Sequence, residues 1–373
     1  MLGAVPCWPT LLAGLLGVGL PTAASAQLEH PLVGAIRWDA WHGELEAPGL
    51  AVERALAPLQ YRSRLPWFTE FREDGTPSIR CDRPGVIEAE IQHALEAGID
   101  YWAFVTYPEE SALSIPLRQY LAGEWEAAPR FCSIFEWSRF GGPDHYQPVV
   151  ERLLGYFADP RYVRVLGDRP LLYLLCHGDE HVTAQWGSVD GLRVAVDALR
   201  AGAAERGLGD PYIVVTWFHA PEAEAMRQSL GADALSAYAV PGGTPEGAPF
   251  EQSQAQARTY WEQMAAVGPM IPIVSWGWDQ RPRVDNPPPW VPNPTPHHYE
   301  TFTPDQCAEA LEAALDWVAE HSDACPANAV LCYAWNEHDE GGWLCPTLGS
   351  DGQPDDSRVR AVGEMLARRR AGL

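Results

Sequence analysis

Lysine is absent from this 373-residue chain: all 26 basic residues are arginine. Its absence removes imine formation on a lysine amine and the lysine of phosphate-binding P-loops, so aldolase-type and Walker-type nucleotide chemistry are excluded. Positive charge of any kind is scarce. Asp and Glu number 50, giving a formal net charge of −24, and such a surface repels a phosphate backbone; no nucleic-acid partner is expected. The eight cysteines include no C-x-x-C pair, so zinc-ribbon and thioredoxin-type motifs are missing. No G-x-S-x-G nucleophile elbow occurs. Long apolar runs are confined to the N-terminus, and no stable membrane span is expected once that segment is removed.

What is present is 46% hydrophobic residues, enough for a large core, and a heavy aromatic load of 16 Trp, 13 Tyr and 10 Phe. Flat rings with a hydrogen-bonding edge suit the faces of sugars, although many must be core. Residues 1–26 read as a secretory signal: Leu11 to Leu20 is apolar, and Ala24-Ser25-Ala26 forms an A-x-A cleavage site before Gln27. A secreted or periplasmic protein follows, with residues 27–373 as the mature domain. Of the seven cysteines that remain, Cys325 and Cys332 read either as a local disulfide or as two buried thiols.

Short β-rich apolar runs then alternate with stretches of helical period, the pattern of parallel βαβ units. Eight strands are expected: 32–38, 101–106, 131–136, 171–176, 212–217, 234–239, 271–276 and 329–335. Helices are expected over 85–97, 147–157, 189–206, 221–230, 252–266, 303–321 and 357–370. Eight such units predict an α/β fold, a single (β/α)8 TIM-type barrel with long βα loops. Barrel active sites lie at the C-terminal strand ends, and there the sequence places Trp38, Asp39, Tyr107, Glu136, Trp217, Tyr238, Trp276, Asp279, Trp335 and Asn336. The proline-rich stretch 286–298 follows the seventh strand and is expected to wall the cleft; 43–77 reads as a long loop anchored by Trp67-Phe68.

The segment Tyr333 to Leu344 carries the most chemistry. A strand leads into it, and Gly341-Gly342 keeps it from continuing as a helix, so Glu337 and Glu340 are expected on a turn at the barrel mouth. Two carboxylates three residues apart can share one face. Glycoside cleavage needs such a pair, one to protonate the leaving oxygen and one to handle the oxocarbenium-like centre. Close carboxylates also push one pKa upward. Spacing alone leaves open an acidic turn that merely caps the chain.

Asn336-Glu337-His338-Asp339-Glu340-Gly341 resembles the N-E-W-x-E-G motif of glycoside hydrolase family 99 and its WbsX-like relatives. Further stretches resemble the WbsX-like branch: Glu96 to Phe104, Asp159 to Tyr162, Gly167 to Tyr173, and Gly277 to Arg283. The resemblance implies a (β/α)8 glycoside hydrolase acting on an α-linked, mannose-like glycan, endo-acting, with net retention and no cofactor or metal. It implies that Glu337 deprotonates the sugar 2-hydroxyl, which attacks the anomeric carbon to give a 1,2-anhydro intermediate, and that Glu340 is the general acid/base. His338 departs from the family's Trp, which puts the sugar subsite in question.

Glu136 reads either as a ligand for sugar hydroxyls or as a buried partner of Arg139. Asp39, Asp279 and Arg281 read as ligands for hydroxyls or an acidic sugar; Trp38, Trp217, Tyr238, Trp276 and Trp335 are candidate stacking platforms, about half of them core. His177 to His181 matches H-x-x-E-H, but that zinc motif needs a helix and here follows a strand with Gly inside. Asp351 to Asp356 reads as an acidic surface turn rather than a calcium loop. Two other functions remain open: WbsX-like glycosyl transfer in polysaccharide biosynthesis, and a barrel that binds glycans without cleaving them.

Overall fold

The computed structural model describes residues 30–41, 47–176, 180–291 and 293–372. The expected signal segment 1–26 and His177, which opens the H-x-x-E-H stretch, lie outside the described residues. Eight strands form the centre: β1 (Leu32–Arg37), β2 (Tyr101–Thr106), β3 (Arg130–Glu136), β4 (Arg169–Leu175), β5 (Tyr212–Thr216), β6 (Ala234–Ser236), β7 (Ile273–Ser275) and β8 (Ala329–Tyr333). Their sequences are runs of β-branched, aromatic and leucine side chains, such as YIVVT in β5 and YWAFVT in β2. Every residue of β1, β2, β5 and β8 is buried, which is what a parallel sheet covered on both faces demands.

The ladder runs β7-β8-β1-β2-β3-β4-β5-β6, and all seven pairings are parallel. The ring closes between β6 and the start of β7, where Leu235 N donates to Pro269 O at 2.8 Å and Ile271 N to Leu235 O at 2.9 Å. A helix follows every strand: Val86–Glu96, Ile115–Ala122, Tyr146–Phe157, Val189–Glu205, Ala220–Leu230, Phe250–Ala265, Pro304–Glu320 and Ser357–Arg370. This is the (β/α)8 barrel that the alternation of periods predicts. The second helix was not expected; it is short and starts with Pro116 in its first turn, yet Leu117 and Tyr120 bury one face at helical spacing.

The helix before β8 shows how local sequence sets a boundary. Thr303 accepts from Gln306 N at 3.2 Å while the Gln306 side chain accepts from Thr303 N at 2.9 Å, and Pro304 opens the first turn. The long loop after β1 is more structured than expected, with a helix Ala47–Leu56, a 3-10 turn Leu59–Arg64 and a hairpin pairing Glu70–Phe71 with Pro77–Ser78. All seven described cysteines are buried free thiols, so Cys325 and Cys332 are not bridged. Among the described residues no helix is long and apolar enough to cross a membrane.

Candidate active site

β8 delivers the chain to the barrel mouth. Beyond Tyr333, Asn336–Glu337 pairs antiparallel with Gly342–Trp343, closing a small hairpin over the turn 338–341. Glu340 N donates to Glu337 O at 3.2 Å across that turn. The turn also lies against the segment leaving β7, where Asp279 N donates to Glu340 O at 2.6 Å. Two glycines permit this approach. A Cβ on Gly277 (φ +136°) would sit 2.2 Å from Gly341 O, and one on Gly341 (φ +85°) would sit 2.6 Å from Asp279 N. The strand ends therefore interlock, and Glu337 and Glu340 are carried into one cavity of about 620 Å³.

Arg283 joins the pair. It sits on a one-turn helix, Arg281–Asp285, and its guanidinium donates from Nη1 to Glu340 and from Nε to Asp339 Oδ2 at 2.7 Å, while Nη2 lies 3.7 Å from Glu337 Oε2. Glu340 receives two further donors, Gln280 Nε2 at 2.8 Å and the Tyr333 hydroxyl. Glu337 receives the Tyr238 hydroxyl at 3.0 Å. One guanidinium thus faces three buried carboxylates. Burial works against its charge, but Asp339, Glu340 and Glu337 outweigh that and hold it protonated. Burial, with Glu340 and Asp339 adding to it, holds the Glu337 carboxyl well above the usual carboxylate range, against the pull of Arg283 and Tyr238.

The cavity separates the expected site residues. Trp38, Tyr107, Glu136, Tyr238, Glu337 and Glu340 line it. Trp38 Nε1 donates to the Tyr107 hydroxyl at 2.7 Å, fixing two rings against each other. Glu136 lines the cavity and is also ion-paired with Arg139 at 2.7 Å, so both readings of it hold geometrically. Trp276 and Trp335 do not line the cavity; both are fully buried, their indoles donating to Cys307 O at 3.1 Å and to Glu90 at 3.0 Å, and no sugar ring can stack on them. Trp217 is tied to Glu222 at 2.9 Å, and its neighbour Phe218 is the ring on the wall.

Asp39, Asn336 and Asp279 are buried and do not line the cavity, and neither does the partly exposed Arg281. Asn336 Nδ2 donates to Asp39 Oδ1 at 3.1 Å, and its oxygen accepts from Trp38 N at 2.9 Å, so this pair holds the Trp38 backbone against the Glu337 hairpin. Burial pushes the Asp39 carboxyl up to about 6 in spite of Arg37. Asp279 binds Arg64 and, at 2.6 Å, Arg281. Burial pushes its carboxyl up, but these two arginines hold it below the ordinary range. Each is a positioning residue here rather than a wall residue.

His338 does not line the cavity at all. Its ring is buried between Trp41 and Trp343, and Nδ1 donates to Arg64 O at 2.7 Å. The side chain at position 338 therefore contributes nothing to the cavity wall. The proline-rich stretch does wall the cleft, through Trp290 and Val291. Sequence reasoning missed Arg283, Gln280 and Asp339 as site residues, whereas Trp278, beyond the end of the seventh strand, does line the cavity. The first three belong to segments read for their motif, and only the pairing of the β7 and β8 ends makes them neighbours. Among the described residues no group of three His, Cys, Asp or Glu is placed to hold a metal ion.

An eight-stranded barrel with a carboxylate-lined mouth is a fold class shared by many enzymes. No family model and no curated protein matches the chain. Among solved structures it is similar to the GH99 endo-α-mannosidase from Bacteroides thetaiotaomicron, at TM-score 0.53 and 14% identity, and to the same enzyme in complex with bis-tris propane, at TM-score 0.52 and 16% identity. Each alignment covers 91% of this chain and 97% of the other. At that identity the likeness is one of fold: the chain has a GH99-like barrel.

Proposed function

We propose that the protein is a retaining glycoside hydrolase acting on an α-linked, mannose-like polysaccharide or glycan, with Glu337 and Glu340 as its carboxylate pair. The observation that carries this reading is the cluster of two carboxylates under one guanidinium, opening into an aromatic-walled cavity at the C-terminal mouth of the barrel. The motif resemblance and the GH99-like fold support the sugar class; endo action, the WbsX-like branch, and secretion or a periplasmic site rest on the sequence.

The pair shares protons as a unit. At rest Glu340 accepts from Arg283, Gln280 and Tyr333, while burial holds the Glu337 carboxyl above the usual carboxylate range. The roles implied by the motif require a protonated Glu340 to serve the leaving oxygen and an ionised Glu337 to take the 2-hydroxyl proton. Arg283 supplies the route. Moving its guanidinium from Glu340 toward Glu337, now 3.7 Å away, stabilises charge on Glu337 and releases Glu340 to be an acid. Substrate filling the cavity beside Trp38, over which the Arg283 guanidinium lies at 5.8 Å, is the trigger.

The test is reducing-end release from a panel of α- and β-linked glycans by wild type, Glu337→Gln and Glu340→Gln. A hydrolase gives release that both variants lose. With aryl glycosides of graded leaving ability, the acid variant regains turnover on the best leaving groups. That pattern in Glu340→Gln supports the roles above; in Glu337→Gln it would reverse them. Binding without release in all three proteins would mean a glycan-binding barrel.

A further inference from the structure

The cavity is two-sided, and its second side is not built for hydroxyl groups. β4 stands opposite β8 in the strand ring, four places away in either direction. On the β8 side lie Glu337, Glu340 and Arg283. On the other lie Val105 from β2, Leu113 from the loop after it, Leu175 at the end of β4 and Phe218 after β5, and the rim is completed by Trp290 and Val291. The polar groups on this side have partners: the Thr216 hydroxyl donates to Leu174 O at 2.9 Å, Glu136 is paired with Arg139 at 2.7 Å, the Arg139 guanidinium lies 3.9 Å over the Tyr107 ring, and the Tyr107 hydroxyl accepts from Trp38 Nε1 at 2.7 Å.

A sugar ring laid against Val, Leu and Phe would bury hydroxyls that those side chains cannot pair, which is costly. An aryl or alkyl group placed there is released from water at no such cost. Trp290 is large, apolar and partly exposed at the rim, edge-on to Trp38 at 6.1 Å. It therefore forms a ring wall at the point where the two halves of the cavity meet the solvent.

Resting on the hydrolase reading above and narrowing its glycan to a glycoconjugate, we infer that the substrate carries its mannose-like glycan on an apolar aglycone, the sugar held at the carboxylates and the aryl or alkyl group in the Val105–Leu175–Phe218 half. The glycosidic C–O bond breaks, the leaving alcohol oxygen takes a proton from the carboxylate pair, and water supplies hydroxyl to the anomeric carbon and its second proton to the pair. The leaving side is therefore recognised by hydrophobic contact rather than by hydroxyl count.

The experiment compares 2-phenylethyl and methyl α-glycosides of mannose, glucose and galactose, whose leaving alcohols are similarly basic, alongside the corresponding α-linked disaccharides. The expected result is kcat/KM at least about 30-fold higher for the 2-phenylethyl compound than for either comparator on whichever sugar is cleaved. Phe218→Ser is expected to bring that ratio to within about threefold, and Leu175→Thr does the same should Phe218→Ser fail to fold. Equal rates, or preference for the disaccharide, overturn the inference while the hydrolase reading stands. Should nothing be cleaved, calorimetry decides: tighter binding of 2-phenylethyl than methyl glycoside with a negative heat-capacity change keeps the apolar subsite and removes the hydrolase reading. No difference in binding overturns the inference.

Discussion

Two buried arginines at the barrel's C-terminal end are each surrounded by carboxylates, and they have different fates. Arg37 is fully buried, 3.0 Å from Asp39 and 2.8 Å from Glu90, with its guanidinium over the Trp102 ring at 4.5 Å. Arg283 meets Asp339, Glu340 and, more loosely, Glu337. The Arg37 cluster is closed off by Trp335 and Cys81, which bond Glu90. The Arg283 cluster opens onto the cavity. It also holds three acids against one base, where Arg37 holds two, and burial together with that excess of acid raises the Glu337 carboxyl well above the usual carboxylate range. A buried ion cluster is structural when its charges nearly balance behind a wall, and fit for proton transfer when they do not and a ligand can reach them.

The comparison is broken most directly by removing one of the two carboxylates proposed to be catalytic. Glu340→Gln or Glu337→Gln is expected to lower kcat on unactivated glycosides by about 10²–10⁴-fold with the melting temperature nearly unchanged, read by steady-state kinetics beside calorimetry. Arg283→Met is expected to cost activity about 100-fold or more by leaving three acids without a cation, and Arg283→Lys is not expected to rescue it, because one ammonium cannot reproduce the fork. Arg37→Met sharpens the contrast from the other side. It is expected to lose about 3–5 kcal/mol of stability in denaturant unfolding while kcat per folded molecule stays within about threefold. An equal loss of kcat in Arg37→Met would show that the two clusters are one machine.

The smallest effect concerns His338. Burial lowers its imidazole from the ordinary 6.5 to about 3. The unfolded chain takes up that proton as pH falls below 6.5 while the folded chain does not, so the native state loses stability from pH 6.5 down toward 3. Asp39 acts in the opposite sense between about 6 and 3.8, since its folded carboxyl takes the proton first. His338→Gln, which keeps a donor for Arg64 O, is expected to recover about 2 kcal/mol of acid stability at pH 4.5, measured as a flatter curve of melting temperature against pH. An unchanged curve would mean that the buried imidazole titrates normally.

The barrel was legible because its signals are local. β2, YWAFVT, and the final helix, Ser357–Arg370, fall on the expected residues, and a buried strand or an amphipathic helix announces itself by composition and period. The short β6 and β7, three residues each, were overread, β6 by three residues at its end and β7 by two at its start and one at its end, because apolar character extends beyond the regular ladder on those sides. At the site, the carboxylates on the turn after β8 could be read from Gly341-Gly342 and the strand before them. Trp276 and Trp335 could not be told from Trp38: all three end strands, and which way each ring turns is decided by its packing partner.

The order of apolar and polar residues, the glycines and prolines that end elements, and the excess of acid over arginine were determined by the sequence itself, because each acts within a few residues or over the whole surface at once. Tertiary structure alone decided that Arg283, distant in sequence from Glu337 and Glu340, is their common partner, that His338 faces Trp41 rather than the cavity, and that one half of the cavity is apolar. Each is a contact between chain segments that meet only when the ring of strands closes.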